Sequence, residues 1–479
     1  MGIQKLFCSG AAVYFVGIKG TGVCALAELM FNAGMKVSGS DTDEIFYTDE
    51  ILKELQIPYY QGFDAAHINN TIDIVIHSAA YSVETNPELA KAVELGIPVL
   101  KYTDALGLWS ERFDSTGICG VHGKTTTTAI CGALARAAGL PAQILTGSGA
   151  LDFGGRSTLH LGDKYFIAET CEYRRHFLSF HPKRIILTSV ESDHQDYFPD
   201  YNSIRDAFVE YCRLLPPDAQ LIYCADDAGA SEVAEIIKKE RSGIEFIPYG
   251  FTAEGDYKIT SFSIENERSV FSLAGFPGAF KMRIPGRHQV LNAAAAIALA
   301  ESIAKKEFGI LNDEKIRSIK YALEDFKSTK RRSEILGEAG GIIFMDDYGH
   351  HPTAITTTLS GIKSFYPERR LIVSFMPHTY TRTSALLDDF ATAFNDADIL
   401  FLHKIYSSAR ENYSGDVDGK LLYEKTQTAR GRETYFIEEP DDAFTPLREM
   451  LKEGDIFLTL GAGNNWQLGK KLLNYYKTL

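Results

Sequence analysis

The chain has no C-x-x-C pair, no apolar run of membrane-spanning length, no internal repeat and no low-complexity tract. Its seven cysteines, Cys8, Cys24, Cys119, Cys131, Cys171, Cys212 and Cys224, are odd in number and scattered, which excludes a disulfide framework or a zinc knuckle. Only 16 prolines accompany 40 glycines in 479 residues, with 45% apolar and 23% charged, so neither a disordered nor a fibrous chain fits. The opening apolar run Ala11–Val16 is too short to span a bilayer and leads into a glycine-rich turn. No membrane association and a cytoplasmic location are expected. Basic residues are in deficit, 49 against 63 acidic, and the net charge of -14 repels polyanions, so nucleic acid is not an expected partner. Any anion site must be local.

What is present is a repeated alternation of short apolar runs and helical patterns. At roughly 100–200 residues per domain the length allows two to four domains. AAVYFVG, MKVSGSD, IDIVIHSAA and IPVLKY, separated by helical segments, read as a parallel α/β unit. A second α/β unit begins at TGICGVHGKTTTT and continues through YFIAET and RIILTSV; residues 257–284 interrupt it with alternation around Asn266–Glu267, which reads as an antiparallel hairpin. A third series follows in GIIFMDD, RLIVSFMP, DILFLHKIY, TYFIEE and DIFLTLGAG. The fold class expected is α/β in three domains, 1–113, 114–333 and 334–479.

VGIKGTG, with Gly17, Gly20 and Gly22, follows a strand and opens a helix, where backbone N–H groups and the helix dipole suit a diphosphate. Its spacing is G-x-x-G-x-G, not the G-x-G-x-x-G of a dinucleotide fold, so the motif does not indicate a nicotinamide cofactor. A tight turn without a ligand fits equally well. Asp41 ends the second strand, where an acid suits a ribose hydroxyl, and His77 and Ser78 end another strand at a switch-point position.

GVHGKTTTT, residues 120–128, is the strongest local signal. Glycines let backbone N–H groups wrap phosphates, Lys124 can neutralise a transferred phosphoryl group, and Thr125 offers Mg²⁺ a hydroxyl. It departs from the standard phosphate loop, having Ile118 where the first glycine belongs. Glu169 and His194 each follow a strand and reach the carboxyl edge of the sheet; Asp193, His194 and Asp196 also fit a solvated turn.

These residues, together with SGSD, AETCEY, ESDH, PGRHQVLNAAAA, KRRSEILG, MDDYGHHPT, FMPHTYTR and LGAG, resemble the Mur ligases of peptidoglycan synthesis over essentially the whole chain, and DDYGHHP resembles the alanine-adding branch best. The resemblance implies a Rossmann-like N-terminal domain for a UDP sugar, a central P-loop ATPase-type domain with a mixed sheet, and a Rossmann-like C-terminal domain that closes over ATP and admits the amino acid. It implies an ATP-dependent amide ligase acting through an acyl phosphate on UDP-N-acetylmuramate and L-alanine, as a monomer or homodimer. The sibling alternative attaches a tripeptide in murein recycling; a nicotinamide-dependent oxidoreductase, or a nucleotide sensor that has lost activity, would leave several motifs unused.

Residue by residue, the resemblance assigns Gly120, His122, Gly123, Lys124, Thr125, Thr126, Asn292, Arg332 and Asp347 to ATP, and Thr125, Glu169 and His194 to Mg²⁺. It assigns Gly17, Lys19, Gly20, Thr21, Gly22, Ser40, Asp41, His77 and Ser78 to the UDP sugar, and His350, His378 and Arg382 to the incoming alanine and acyl phosphate. Lys124, Glu169, His194, Arg332 and His350 carry the expected catalytic roles. Four departures from the family pattern stand out: Cys171 and Arg174 replace acids, Gln289 replaces an asparagine, Thr379 replaces an arginine and Asn464 replaces an acid. With Thr379 in place of an arginine, Arg382 is left as the bidentate carboxylate contact.

Overall fold

The computed structural model describes residues 7–194, 197–407, 415 and 417–478. By contacts the chain forms two compact units, one of residues 1–190, 205–249 and 295–319, the other of 191–204, 250–294 and 320–479.

The first unit holds two parallel-rich sheets. In the N-terminal one the strands lie in the order Tyr59–Gln61, Lys36–Asp41, Ala12–Val16, Ile74–His77, Val99–Lys101, all parallel. The central strand Ala12–Val16 is buried on both faces, which is why it reads as a continuous apolar run. A buried acid ties this sheet to the helix Pro87–Glu94: Glu88 accepts from Tyr14 Oη at 2.9 Å and Ser40 Oγ at 2.5 Å, and it pairs with His67 Nδ1 at 2.7 Å. That helix starts where Asn86 Oδ1 caps the N–H groups of Glu88 and Leu89 and proline occupies the first turn.

The second sheet of this unit runs Glu245–Tyr249, Gln220–Cys224, Arg184–Leu187, Asp114–Cys119, Tyr165–Glu169, Ala142–Leu145, Thr158–His160, and only the last strand is antiparallel. The register pairs Ile118 with Glu169 and Leu187 with Cys119, so three strand ends deliver Glu169, the glycine loop and Thr188 to one edge.

The second unit contains the expected hairpin: Ile259–Ile264 pairs antiparallel with Ser269–Leu273, and Asn266 and Glu267 take positive φ of 50° and 54° at its turn. A third short strand, Phe280–Met282, completes that sheet. The larger sheet runs Glu334–Ala339, Ile342–Asp347, Asp455–Leu460, Arg370–Phe375, Ile399–Leu402, Thr434–Phe436. Alternate residues feed two cores: Ile343, Met345, Val373 and Leu458 on one face, Ile342, Phe344, Ile372 and Phe457 on the other. Its first strand, Glu334–Ala339, is an antiparallel edge that the sequence reading does not separate from the preceding boundary. No residue of that strand is fully buried, so it carries little of the apolar patterning that marks the other five.

Candidate active site

The strand Asp114–Cys119 feeds the turn 120–123, and the helix Lys124–Ala138 follows it. Gly120 and Gly123 have φ of 136° and 81°, and a Cβ on Gly120 would stand 2.1 Å from Thr188 Oγ1. The neighbouring strand's continuation braces the turn: Ser189 Oγ accepts from His122 N at 2.9 Å, and Thr188 Oγ1 reaches the His122 carbonyl at 2.5 Å. Thr125 and Thr126 are buried at the helix start.

Lys124 is fully engaged. Its ammonium lies 2.5 Å from the Gly120 carbonyl and 2.9 and 3.0 Å from the two carboxylate oxygens of Glu172, itself 1% exposed. Burial alone would lower the lysine's pKa; Glu172, with Glu169 nearby, outweighs it and raises the value above the ordinary lysine range, so the side chain stays cationic. Glu169, one strand away, is oriented by the Gly147 N–H, which donates to its Oε2 at 2.7 Å. Sequence reasoning names Glu172 only as a retained acid and does not find Gly147; the TGSG segment around Gly147 was the available signal. Thr125 and Glu169 present hydroxyl and carboxylate oxygen, the donor chemistry Mg²⁺ prefers, and the donor set fits that ion.

The N-terminal turn uses its polar side chains differently. Gly17 has φ 81° and Tyr81 covers it, with a Cβ at 2.7 Å from the ring. Gly20 precedes the helix Thr21–Asn32, and Tyr102 packs on Gly22, its hydroxyl 2.8 Å from where a Cβ would sit. Lys19 is buried and its ammonium reaches the carbonyls of Thr42 at 3.0 Å and Glu44 at 2.9 Å and Asp49 Oδ1 at 3.1 Å. Asp41 accepts from Lys19 N at 2.6 Å and Thr42 N at 2.8 Å. Ser40 points to Glu88 in the core, His77 Nδ1 donates to the Ser78 carbonyl at 2.9 Å, and Ser78 Oγ accepts from Ala80 N at 3.3 Å. In this turn Lys19, Ser40 and Asp41 hold the fold together. The backbone of the turn is engaged as well: Gly17 N and Ile18 N donate to the Ser40 carbonyl at 2.9 and 3.1 Å and Gly20 N to the Gly17 carbonyl at 3.3 Å, and Gly20 is its exposed residue.

The second unit gathers a separate cluster. Asp193 is 4% exposed, and its Oδ1 accepts from Arg382 Nη2 at 2.9 Å, Arg382 Nε at 3.1 Å and the His194 backbone N–H at 2.7 Å. Burial pushes the Asp193 carboxyl up, but the Arg382 guanidinium, then His194 and His350, hold it well below the usual carboxylate range. Thr353 Oγ1 donates to Glu191 at 3.0 Å, which fastens the same segment to the helix Pro352–Phe365. Asp196 lies outside the described residues.

His350 donates from Nδ1 to the Tyr348 carbonyl at 2.9 Å, and burial, together with the nearby Arg382 charge, drops its pKa well below the ordinary histidine value. It is therefore neutral at pH 7 with the lone pair on Nε2. The His378 ring stands 6.2 Å from that of His350, edge to face. Thr379, in the place of the family arginine, caps the helix Tyr380–Ala385: its Oγ1 accepts from Arg382 N at 3.4 Å.

Asp347 is buried and closes a turn, accepting from Ser333 N at 2.6 Å and Gly349 N at 2.7 Å; burial raises its pKa, opposed chiefly by Arg332. The Arg332 guanidinium lies 5.2 Å from the Tyr348 ring. Asn292, on the helix Arg287–Phe308, donates to Gln289 at 3.1 Å, so the glutamine that departs from the family pattern contacts the asparagine that keeps it.

Against family models, residues 12–114 match the Mur ligase family catalytic domain, 118–300 the Mur ligase middle domain and 331–463 the Mur ligase glutamate ligase domain. The chain belongs to the Mur ligase family. A Treponema pallidum protein named UDP-N-acetylmuramate–L-alanine ligase is 49% identical over 469 residues, 98% of this chain and 97% of its own. One of the same name from Desulfitobacterium hafniense is 36% identical, covering 96% and 99%. The crystal structure of UDP-N-acetylmuramate–alanine ligase from Thermotoga maritima matches this Mur ligase in fold with a TM-score of 0.75 at 24% identity, over 98% and 99% of the two chains. A murein peptide ligase from Psychrobacter arcticus gives 0.64 at 22%.

Proposed function

We propose that this Mur ligase joins L-alanine to the lactyl carboxylate of UDP-N-acetylmuramate, with cleavage of ATP to ADP and phosphate. The observation that carries this reading is the 49% identity, over nearly the full length of both chains, to a relative of that name, on a chain that also keeps DDYGHHP. The γ-phosphoryl group passes to the carboxylate oxygen, ADP leaves, the amine nitrogen bonds to the acyl carbon, and the carboxyl oxygen departs with phosphate.

In the first unit, Gly120, His122, Gly123, Thr125 and Thr126 wrap the phosphates and Lys124 neutralises the charge that moves during transfer. Thr125 and Glu169 would hold Mg²⁺, which when bound would add charge neutralisation on the phosphate oxygens. The backbone of Gly17–Gly22, with His77 and Ser78, takes the UDP diphosphate. In the second unit, Asn292, Arg332 and Asp347 serve the nucleotide, Arg382 reads the alanine carboxylate beside His378, and neutral His350 accepts the amine proton at Nε2. His194 is assigned to a metal ion from the resemblance. Residues 1–113, 114–333 and 334–479 are proposed as the sugar, ATP and amino-acid domains of a cytoplasmic monomer or homodimer. No helix of the described residues is long and apolar enough to cross a membrane.

The test offers the enzyme ATP, UDP-N-acetylmuramate and equal concentrations of alanine and the recycling tripeptide, and reads products by mass spectrometry. Addition of alanine is expected; predominant tripeptide addition would replace this reading with the recycling one.

A further inference from the structure

A buried carboxylate without ligand-binding duties is an expensive way to fill space, since an apolar replacement of a buried ion pair is often neutral or stabilising. Asp193 is such a group. All three recorded donors to its Oδ1 come from the two residues that matter locally, Arg382 and His194, and the Arg382 side chain is as enclosed as the acid, with 8% and 6% of the side chains exposed. Arg382 Nη1 also donates to the His378 carbonyl at 2.8 Å. A guanidinium has five N–H donors. Nε and one proton of Nη2 are spent on Asp193 and one proton of Nη1 on His378, which among the described residues leaves one donor on each terminal nitrogen. Two such donors are the complement of a carboxylate.

We propose that Asp193 is a positioning residue for amino-acid selection: it pins one side of the Arg382 guanidinium so that the two remaining N–H groups are presented together to the carboxylate of the incoming amino acid. The inference rests on the assignment of Arg382 to that carboxylate. The helix cap from Thr379 fixes the backbone under Arg382, and Thr383 Oγ1, donating to the Thr379 carbonyl at 2.7 Å, fastens the same turn, so the arginine is held at both ends. The family arginine replaced by Thr379 is thus exchanged for a cap, and the remaining arginine depends more heavily on its anchor.

The experiment measures KM for alanine, for ATP and for alaninamide, which lacks the carboxylate, in the wild-type enzyme and in Asp193→Asn, Asp193→Glu and Arg382→Lys. Loss of a charge-assisted anchor is expected to raise KM for alanine by roughly 10- to 100-fold in Asp193→Asn. KM for ATP and the kinetics with alaninamide should stay near wild type, and Asp193→Glu, which keeps the charge, should recover part of the loss. Equal rises in KM for alanine and ATP, or no rise for alanine, would overturn the proposal. Arg382→Lys separates the two levels of the argument. If it leaves KM for alanine unchanged, the assignment of Arg382 is wrong; if it raises that KM and Asp193→Asn does not, Arg382 reads the carboxylate without help from Asp193. Should Asp193→Asn fail to fold, the Asp193→Glu split between alanine and ATP decides in the same way.

Discussion

The turn after Val16 and the turn after Cys119 share a plan: each follows a buried parallel strand, bends at positive φ (Gly17 in one, Gly120 and Gly123 in the other), carries a lysine and enters a helix. Their lysines diverge. Lys19 satisfies two carbonyls of the segment 42–44 and Asp49, with the rings of Tyr59 and Phe46 at 5.2 and 6.0 Å. Lys124 lies between the loop's own carbonyl and the carboxylate of Glu172, on the edge that also carries Glu169. Both lysines combine loop carbonyls with one carboxylate; they differ in access, the Lys19 side chain being 1% exposed and that of Lys124 13%, and in setting, since only Lys124 shares its sheet edge with Glu169. On the proposed function, the same residue type in the same kind of turn is structural in one sheet and chemical in the next.

The largest effect that tests this contrast is on turnover. Lys124→Ala is expected to lower kcat by ~10³-fold or more, as removal of a preorganised transition-state charge does. Circular dichroism at 25 °C should show the fold retained. Because the variant strands Glu172 in a buried position, melting should drop, and adding Glu172→Gln should restore the melting temperature but not the rate. Recovery of turnover in the double variant would remove Lys124 from the chemistry.

Lys19→Met should do the reverse. It removes two carbonyl contacts and a half-buried ion pair with Asp49, so a loss of about 2 kcal/mol in urea unfolding is expected, with KM for the UDP sugar within about 3-fold of wild type, less than one hydrogen bond's worth. A 100-fold rise in that KM with unchanged stability would mean that Lys19 contacts the diphosphate, and the contrast would fail. The smallest effect compares two glycines of one turn. Gly17→Ala meets Tyr81 in a left-handed backbone and should cost ~1–3 kcal/mol. Gly20→Ala finds its nearest neighbour at an ordinary 3.5 Å and should stay within ~0.5 kcal/mol in the same denaturation experiment.

Much of this was legible before the structure, because the strands that position the site are buried runs such as Val13–Val16 and Ile372–Phe375, whose apolar character is independent of their partners. The hairpin at Asn266–Glu267 was legible through alternation. The edge strand Glu334–Ala339 was not, since it is only half-buried and charged. Lys124 and Glu169 were legible as a motif, but Asp193 read equally well as a solvated turn. Its burial depends on Arg382, 189 residues away, and no local pattern encodes a pairing at that separation. Lys19 was legible as a motif position, but its partners Thr42, Glu44 and Asp49 lie outside the motif and no local pattern names them.

The central claim is that a carboxylate is activated through phosphoryl transfer before the amine attacks. UDP-N-acetylmuramate labelled with ¹⁸O in the lactyl carboxylate tests it directly. Mass spectrometry of the phosphate released with alanine and ATP should find one ¹⁸O atom per phosphate, carried over from the acyl phosphate. Unlabelled phosphate, with the label kept entirely in the sugar product or lost to water, would contradict the account.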